Sequence, residues 1–484
     1  MLFHSFAYFT FFPCVVALYF AIPPRHRWAL LLAASYYFYA AWKPEYLLLI
    51  VASTLVDYLV GLGLGRHREA GARRWLLAAS LILNLGLLGV FKYADFFGQS
   101  LAGLARALGG GWNVPALNLL LPVGISFYTF QTLSYTIDVY RGDREPERHL
   151  GRFALYVSFF PQLVAGPIER STHLLPELRA ERPFDLDRVL SGSSLFAWGL
   201  FKKLVIADRA AAFVDAVYAD PERFQGPTII VATYLFAFQI YADFSGYSDM
   251  AVGSARVMGI ELMENFDRPY AARSITDFWR RWHISLSTWF RDYLYIPLGG
   301  NRVVPRRRLF NVLVVFVLSG LWHGASWTFV AWGAYHGVLF ALTWALMRVS
   351  GEGPSRLGED ARRVLSAILG IPITFHLVVF GWLLFRARDL DHLGLLIHQL
   401  GVVSAPSVLD DLTSIGPAPA AALRVELVVL AASVVLLEAV EWLRRHRDEL
   451  PRSAPLRALA VAGLLCWLVL AARQTHTPFL YFQF

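Results

Sequence analysis

The chain has 484 residues, of which 56% are hydrophobic and only 17% charged, with a formal net charge of +8. Soluble domains carry about 25% charged residues, so this composition, with a mean hydropathy of +0.47, excludes an ordinary globular protein and predicts a polytopic membrane protein. The basic excess sits in short loops between apolar runs, which argues against nucleic-acid binding, a function that needs a basic soluble face with stacking aromatics.

Apolar runs of the roughly 17–25 residues that cross a bilayer as a helix begin near Phe6, Trp28, Tyr46, Trp75, Ala116, Phe153, Val189, Ile229, Phe310, Trp327, Val364, Ala422 and Leu456. They predict about ten to thirteen crossings, some re-entrant or half-length. The runs are too continuous for the alternating strands of a membrane barrel, so the expected fold is all-α. The first run follows Met1–Ser5 without a basic n-region or a small-residue cleavage site, and it reads as a retained span. Cys14 and Cys466 both fall in apolar segments and read as small apolar side chains rather than a disulfide.

Basic loops occur at Arg25–Arg27, Arg66–Arg74, Arg302–Arg308 and Arg444–Arg452. The positive-inside rule makes them cytoplasmic and the N-terminus extracytoplasmic, and attraction to anionic lipid is a sufficient account of the charge. The longest polar connections, Arg141–Arg152, Glu169–Arg188 and Asp215–Pro227, are too short to fold alone. A single membrane-embedded domain over residues 1–484 is expected, with no separate soluble domain. No repeat relates its halves, which weakens an inverted-repeat transporter.

Polar groups inside the apolar runs carry the functional signal, because ionisable side chains in hydrocarbon face a protein-lined or watery interior. Asp57, His376 and Glu438 stand alone and read as tertiary hydrogen-bonding groups. Lys202 and Lys203 follow an apolar stretch and read as snorkelling to the interface. In QIYADFSGYSD, Gln239–Asp249, the acids and hydroxyls either line a polar cavity or mark a helix break capped by Asp243 or Ser245. Segment 274–298, SITDFWRRWHISLSTWFRDYLYIPL, places Phe278, Trp282, Leu286, Trp289, Tyr293 and Ile296 on one helical face. Asp277 and Arg281 form an i,i+4 pair on another face, and Pro297, Gly299 and Gly300 end the helix. Such a helix lies along an interface or walls a wet cavity; His283 falls between its faces.

No charged residue occurs from Leu309 to Trp332, yet LSGLWHGASW places His323 near the middle of this run. Gly320 and Gly324 allow another backbone to approach, or break the helix and open a path beside the ring. A neutral imidazole there can serve as a general base. Ligation by His283, His323 and His336 is the metal alternative, but no cysteine or HExxH spacing supports it and no metal is expected. GxSxG and the glycine-rich phosphate loops do not occur, so a serine hydrolase, an ATPase and a nucleotide-binding dehydrogenase are not expected.

The segments DFWRRWHISLSTWFRDYLYIPLGGNR (Asp277–Arg302) and SGLWHGASWTFVAWGAYHG (Ser319–Gly337) together resemble the membrane-bound O-acyltransferases. The closest likeness is to the bacterial branch that contains the membrane component of alginate O-acetylation. Weaker supporting stretches are Gly124–Gly142, Phe159–Arg170, Gln239–Gly253 and the terminal PFLYFQF. The family pattern has one histidine in an apolar stretch and a His or Asn in the preceding amphipathic motif; His323 and His283 match these positions. The resemblance implies a ring of helices around a thin, tunnelled centre. There a cytoplasmic acyl thioester, acetyl-CoA or an acyl carrier protein, meets an acceptor from the other face, with no bound cofactor. It also implies an inner-membrane location and a partner, either a secreted SGNH-type acetyltransferase or polysaccharide export machinery. On this reading His323 and His283 are catalytic. The Trp322 indole, His283 or backbone N–H groups near Gly324 can donate to the oxyanion. Arg280 and Arg281 attract phosphates or an acidic carrier, and Asp243 and Gln239 contact substrate. Two other readings stand beside it: a proton-coupled secondary transporter, and a non-catalytic membrane subunit of an export complex.

Overall fold

The computed structural model describes residues 1–112, 114–164, 166–349, 366–403, 407–415, 418–445, 467 and 480. Among them no strand occurs. In chain order the helices are α1 (Phe6–Ala21), α2 (Arg27–Ala40), α3 (Leu47–Arg66), α4 (Ala70–Leu88), α5 (Ala94–Ala107), α6 (Ile125–Arg141), α7 (Leu150–Ser158), α8 (Phe160–Leu163), α9 (Ser171–Arg179) and α10 (Leu186–Phe201). They continue as α11 (Asp208–Ala219), α12 (Gly226–Val257), α13 (Ile275–Arg281), α14 (Ile284–Phe290), α15 (Pro305–His323), α16 (Trp327–Val349), α17 (Ile371–Arg386), α18 (Leu390–Gln399), α19 (Val408–Thr413) and α20 (Ala420–Arg445).

Six stretches among the described residues are long and apolar enough to cross a membrane: Pro44–Arg66, Ala70–Ala107, Leu186–Ala219, Gly226–Val257, Ile368–Arg386 and Ala420–Arg444. The chain is an all-α polytopic membrane protein. These six stretches take up the runs expected at Tyr46, Trp75, Val189, Ile229, Val364 and Ala422, fewer than the ten to thirteen crossings expected. The runs at Phe6 and Trp28 form helices of 16 and 14 residues, those at Phe310 and Trp327 form α15 and α16 but are not among the six, and two others take another form. The run near Ala116 is not helical until Ile125, where Gly124 adopts φ +78° just before α6. The run near Phe153 is interrupted after Ser158, because Pro161 restarts the chain as the one-turn α8. The starts of the runs at Val364 and Leu456, Cys466, and the loop beyond Arg445 lie outside the described residues.

Two compact units divide the chain: Met1–Phe196 with Ser248–Glu264, and Ala197–Tyr247 with Asn265–Phe484. In the first, Asp57 ties α3 to α4 and α6. Its carboxyl accepts hydrogen bonds from Ser80 Oγ at 2.5 Å, Asn84 Nδ2 at 2.9 Å and Thr136 Oγ1 at 3.3 Å. This is the tertiary role expected for a polar group buried in a span.

In the second unit, α12 runs unbroken through Gln239–Tyr247, so neither Asp243 nor Ser245 caps a new helix. Lys202 and Lys203 do not snorkel either; both are buried in a π-helical turn, Lys202–Ala207. Lys203 Nζ lies 2.7 Å from Asp243 and 2.9 Å from Asp208, while Lys202 Nζ lies 3.0 Å from Glu441 and 3.2 Å from Ser245 Oγ. Carboxylates from three helices supply the compensation that water would otherwise give these ammonium groups.

Helices α15 and α16 form a hairpin whose two backbones nearly touch. A Cβ on Gly320 would lie 2.1 Å from the Phe329 carbonyl oxygen, and one on Gly333 2.3 Å from that of Phe316. Neither position tolerates a side chain without parting the helices, as small residues at helix–helix contacts require.

Candidate active site

The second unit brings the two sequence-flagged histidines together. Segment 274–298 is not one helix. It breaks between α13 and α14, where Trp282 is extended and His283 adopts the left-handed conformation (φ +43°, ψ +56°). Asn265 secures the break: its carbonyl oxygen accepts from Ile284 N at 2.9 Å and its Oδ1 from Ser285 N at 3.3 Å. The break lets Trp282 and His283 both turn inward. Phe278, Trp282, Leu286 and Trp289 are likewise buried, so most of the expected apolar face is spent on protein core rather than on an interface. Histidine is among the few side chains that tolerate positive φ, so the residue suits the backbone at this position.

His323 is the last residue of α15. Gly324 leaves the helix in an extended conformation, and its hydrogen faces the Phe329 ring, where a Cβ would lie 2.2 Å from the nearest carbon. Gly320 thus takes the close-backbone role and Gly324 the helix-ending one. The His323 imidazole is 3% exposed, with ring centroids 5.1 Å from Trp322, 5.0 Å from Trp332, 5.4 Å from Phe385 and 6.3 Å from His283. His283 lies 4.6 Å from the Phe244 ring and 5.8 Å from that of Trp322. Trp322 touches both imidazoles.

The remaining sequence-flagged residues are placed differently. Arg281 binds Asp277 at 2.7 Å, as its i,i+4 spacing predicts, and also approaches Asp267 at 3.6 Å. Burial raises the Asp277 carboxyl, but bonds from Arg281 and from the Arg273 backbone outweigh it and hold the acid ionised below its ordinary range. Arg280 is exposed. Asp243 is occupied: besides Lys203, it accepts a hydrogen bond from Leu480 N at 2.6 Å. Gln239 is buried, and its Oε1 has no partner among the described residues. His336 packs on the Trp332 ring, which also contacts His323.

Trp332, Phe385 and Phe244 escaped the sequence reading. Trp332 carried a weak signal, standing in the same motif as His323, but nothing in the sequence ties Phe385 or Phe244 to either histidine.

Burial pushes the His283 imidazole down to about 3, so it stays neutral at physiological pH. The folded value lies below the ordinary 6.5, so as pH falls beneath that value the unfolded chain binds the proton first and folding weakens, down to about pH 3. His283→Asn keeps a side chain suited to positive φ and removes this titration. Between pH 6.5 and 5 its thermal midpoint should fall less steeply than that of the wild type. His283→Val, β-branched in a left-handed position, should fail to reach the wild-type midpoint at any pH. Differential scanning fluorimetry in detergent reads both; parallel slopes for wild type and His283→Asn would refute the assignment.

Comparison with known proteins identifies the family. Residues 147–352 match the family model "MBOAT, membrane-bound O-acyltransferase family", a range that contains both histidines. The chain is 43% identical over 385 residues to "Probable alginate O-acetylase AlgI" of Azotobacter vinelandii, covering 79% of this chain and 74% of that one. It is 38% identical over 498 residues to the protein of that name from Pseudomonas putida, covering 98% of each. To the "Peptidoglycan O-acetyltransferase" of Helicobacter pylori it is 36% identical over 387 residues, 75% of this chain and 71% of that one. The family match and the near full-length similarity to named O-acetylases make this chain a member of the membrane-bound O-acyltransferase family and an O-acyltransferase.

Proposed function

We propose that the protein moves an acetyl group from a cytoplasmic thioester, acetyl-CoA or an acyl carrier protein, toward a hydroxyl of an extracytoplasmic polysaccharide. Delivery is direct or through a secreted SGNH-type partner, and the enzyme works in the inner membrane with its N-terminus outside. The observation that carries this reading is the pair of buried imidazoles, His323 and His283, 6.3 Å apart with the Trp322 ring against both. The names of the relatives support an acetyl group and a polymeric acceptor.

An alcohol is a weak nucleophile until its proton is removed. Neutral His323 takes that proton as the acceptor oxygen bonds to the thioester carbonyl carbon. Negative charge then develops on the carbonyl oxygen, where the Trp322 indole N–H and an N–H of neutral His283 are the donors at hand. Collapse of the tetrahedral adduct breaks the C–S bond, and the His323 imidazolium returns its proton to the leaving sulfur. Aromatic walls exclude water that would otherwise hydrolyse the thioester. Exposed Arg280 meets the phosphates or acidic surface of the donor.

The test uses purified protein in nanodiscs, incubated with radiolabelled acetyl-CoA or acetylated acyl carrier protein, with alginate oligosaccharide as the acceptor. Enzyme-dependent release of the free thiol and label on the oligosaccharide are expected. No turnover with either donor, in the presence of a purified SGNH-type acetyltransferase as well, would overturn the reading.

A further inference from the structure

In the first unit three arginines are drawn together with little to neutralise them. Arg27, at the start of α2, donates through Nη1 to the backbone carbonyl of Arg182 at 2.6 Å and lies 4.5 Å above the Tyr19 ring. Arg188, near the start of α10, donates to the carbonyl of Pro183. Arg182 and Arg188 meet over Gly259, whose φ is +85°. A Cβ there would lie 2.9 Å from the Arg182 side chain and 3.1 Å from the Arg188 guanidinium carbon. All three charges act on the Tyr19 hydroxyl. The one carboxylate in ion-pair reach among the described residues is Glu177, 3.2 Å from Arg182, and it also accepts from Glu261 N. Asp185 is engaged by the Arg188 backbone N–H. The Nε of each arginine is buried and has no acceptor among the described residues.

Like charges held together with buried, unsatisfied donors are costly unless an anion joins them. We propose that Arg27, Arg182 and Arg188 form a binding site for a phosphate group, and that its occupant is the headgroup of an anionic phospholipid. Three guanidinium forks offer more donors than a carboxylate's two oxygens can use, and they suit the oxygens of a phosphodiester. The position of the three arginines favours a lipid. The arginines sit where α1 ends and where α2 and α10 begin, and α10 opens a membrane-spanning stretch. Beside them Phe184, Leu186 and Leu190 are each more than half exposed, and Phe184 packs on Phe20, a ring that Arg27 also overlies. Apolar side chains facing acyl chains next to basic groups are what a headgroup-depth lipid site requires. Arg25, two residues away, is exposed and hydrogen-bonded to His26, and lies outside the site.

The full-length protein in detergent is titrated with phosphatidylglycerol, phosphatidylcholine and inorganic phosphate, and bound lipid is counted by native mass spectrometry. Wild type and Arg25→Gln should prefer phosphatidylglycerol by about tenfold or more. The Arg27→Gln/Arg188→Gln double variant should lose that preference while still binding phosphatidylcholine. Should the double variant not purify as a monodisperse species, Arg188→Gln alone should show part of the loss. An unchanged preference in a folded variant, or none in the wild type, would overturn the site. Competition by inorganic phosphate at concentrations matching the lipid would overturn the lipid as occupant.

Discussion

Replacing His323 with alanine or glutamine should reduce acyl transfer by roughly 10²–10⁴-fold, the usual contribution of a general base. The two replacements separate chemistry from packing. The imidazole is buried against Trp322, Trp332 and Phe385, so alanine leaves a cavity and loosens the end of α15. Glutamine approximates the volume and can still hydrogen-bond, but it cannot accept a proton at neutral pH. If His323 is the base, both variants lose turnover alike while glutamine keeps the thermal midpoint closer to the wild type. If the ring only fills space, the glutamine variant stays within a few-fold of wild type and alanine alone fails. The measurement is the rate of free-thiol release from acetyl-CoA in nanodiscs, with monodispersity checked by gel filtration. Turnover of the glutamine variant within tenfold of wild type would remove His323 from the proton transfer.

What the sequence discloses here follows from the range over which each constraint acts. Six of the expected spans were legible because hydrocarbon demands long apolar helices, and His323 stood out because an imidazole inside an apolar run needs a reason. The i,i+4 bond from Arg281 to Asp277 was legible for the same local cause. His283 was harder. Its apolar spacing fits one amphipathic helix, yet the structure breaks that helix after Arg281, because Asn265, distant in sequence, captures the N–H groups of Ile284 and Ser285. Phe244 and Phe385 reach the histidines from α12 and α17 through packing alone, and no local period records such a meeting. Lys203 was misread for a related reason. A lysine after an apolar stretch snorkels unless a carboxylate meets it inside, and the two that do lie on α11 and α12.

That ion cluster yields the second large effect. Lys203→Met should destabilise the protein by roughly 3–5 kcal/mol, because it leaves Asp208 and Asp243 buried without their shared cation. Asp243→Asn should cost less, since Lys203 keeps Asp208 and the amide oxygen can still accept from Leu480 N. The ranking separates two roles for Asp243. As a member of the ion cluster, its loss lowers the thermal midpoint and leaves turnover per folded molecule near the wild-type value. As a substrate contact, its loss lowers turnover and leaves the midpoint in place. Scanning fluorimetry and thiol release on the same preparations read both quantities. The double variant Lys203→Met/Asp243→Asn supplies the decisive term: with one carboxylate neutralised beside the missing cation, it should be more stable than Lys203→Met alone. If the effects of the two substitutions simply add, the groups are not coupled, and the 2.7 Å contact between them contributes nothing to the fold.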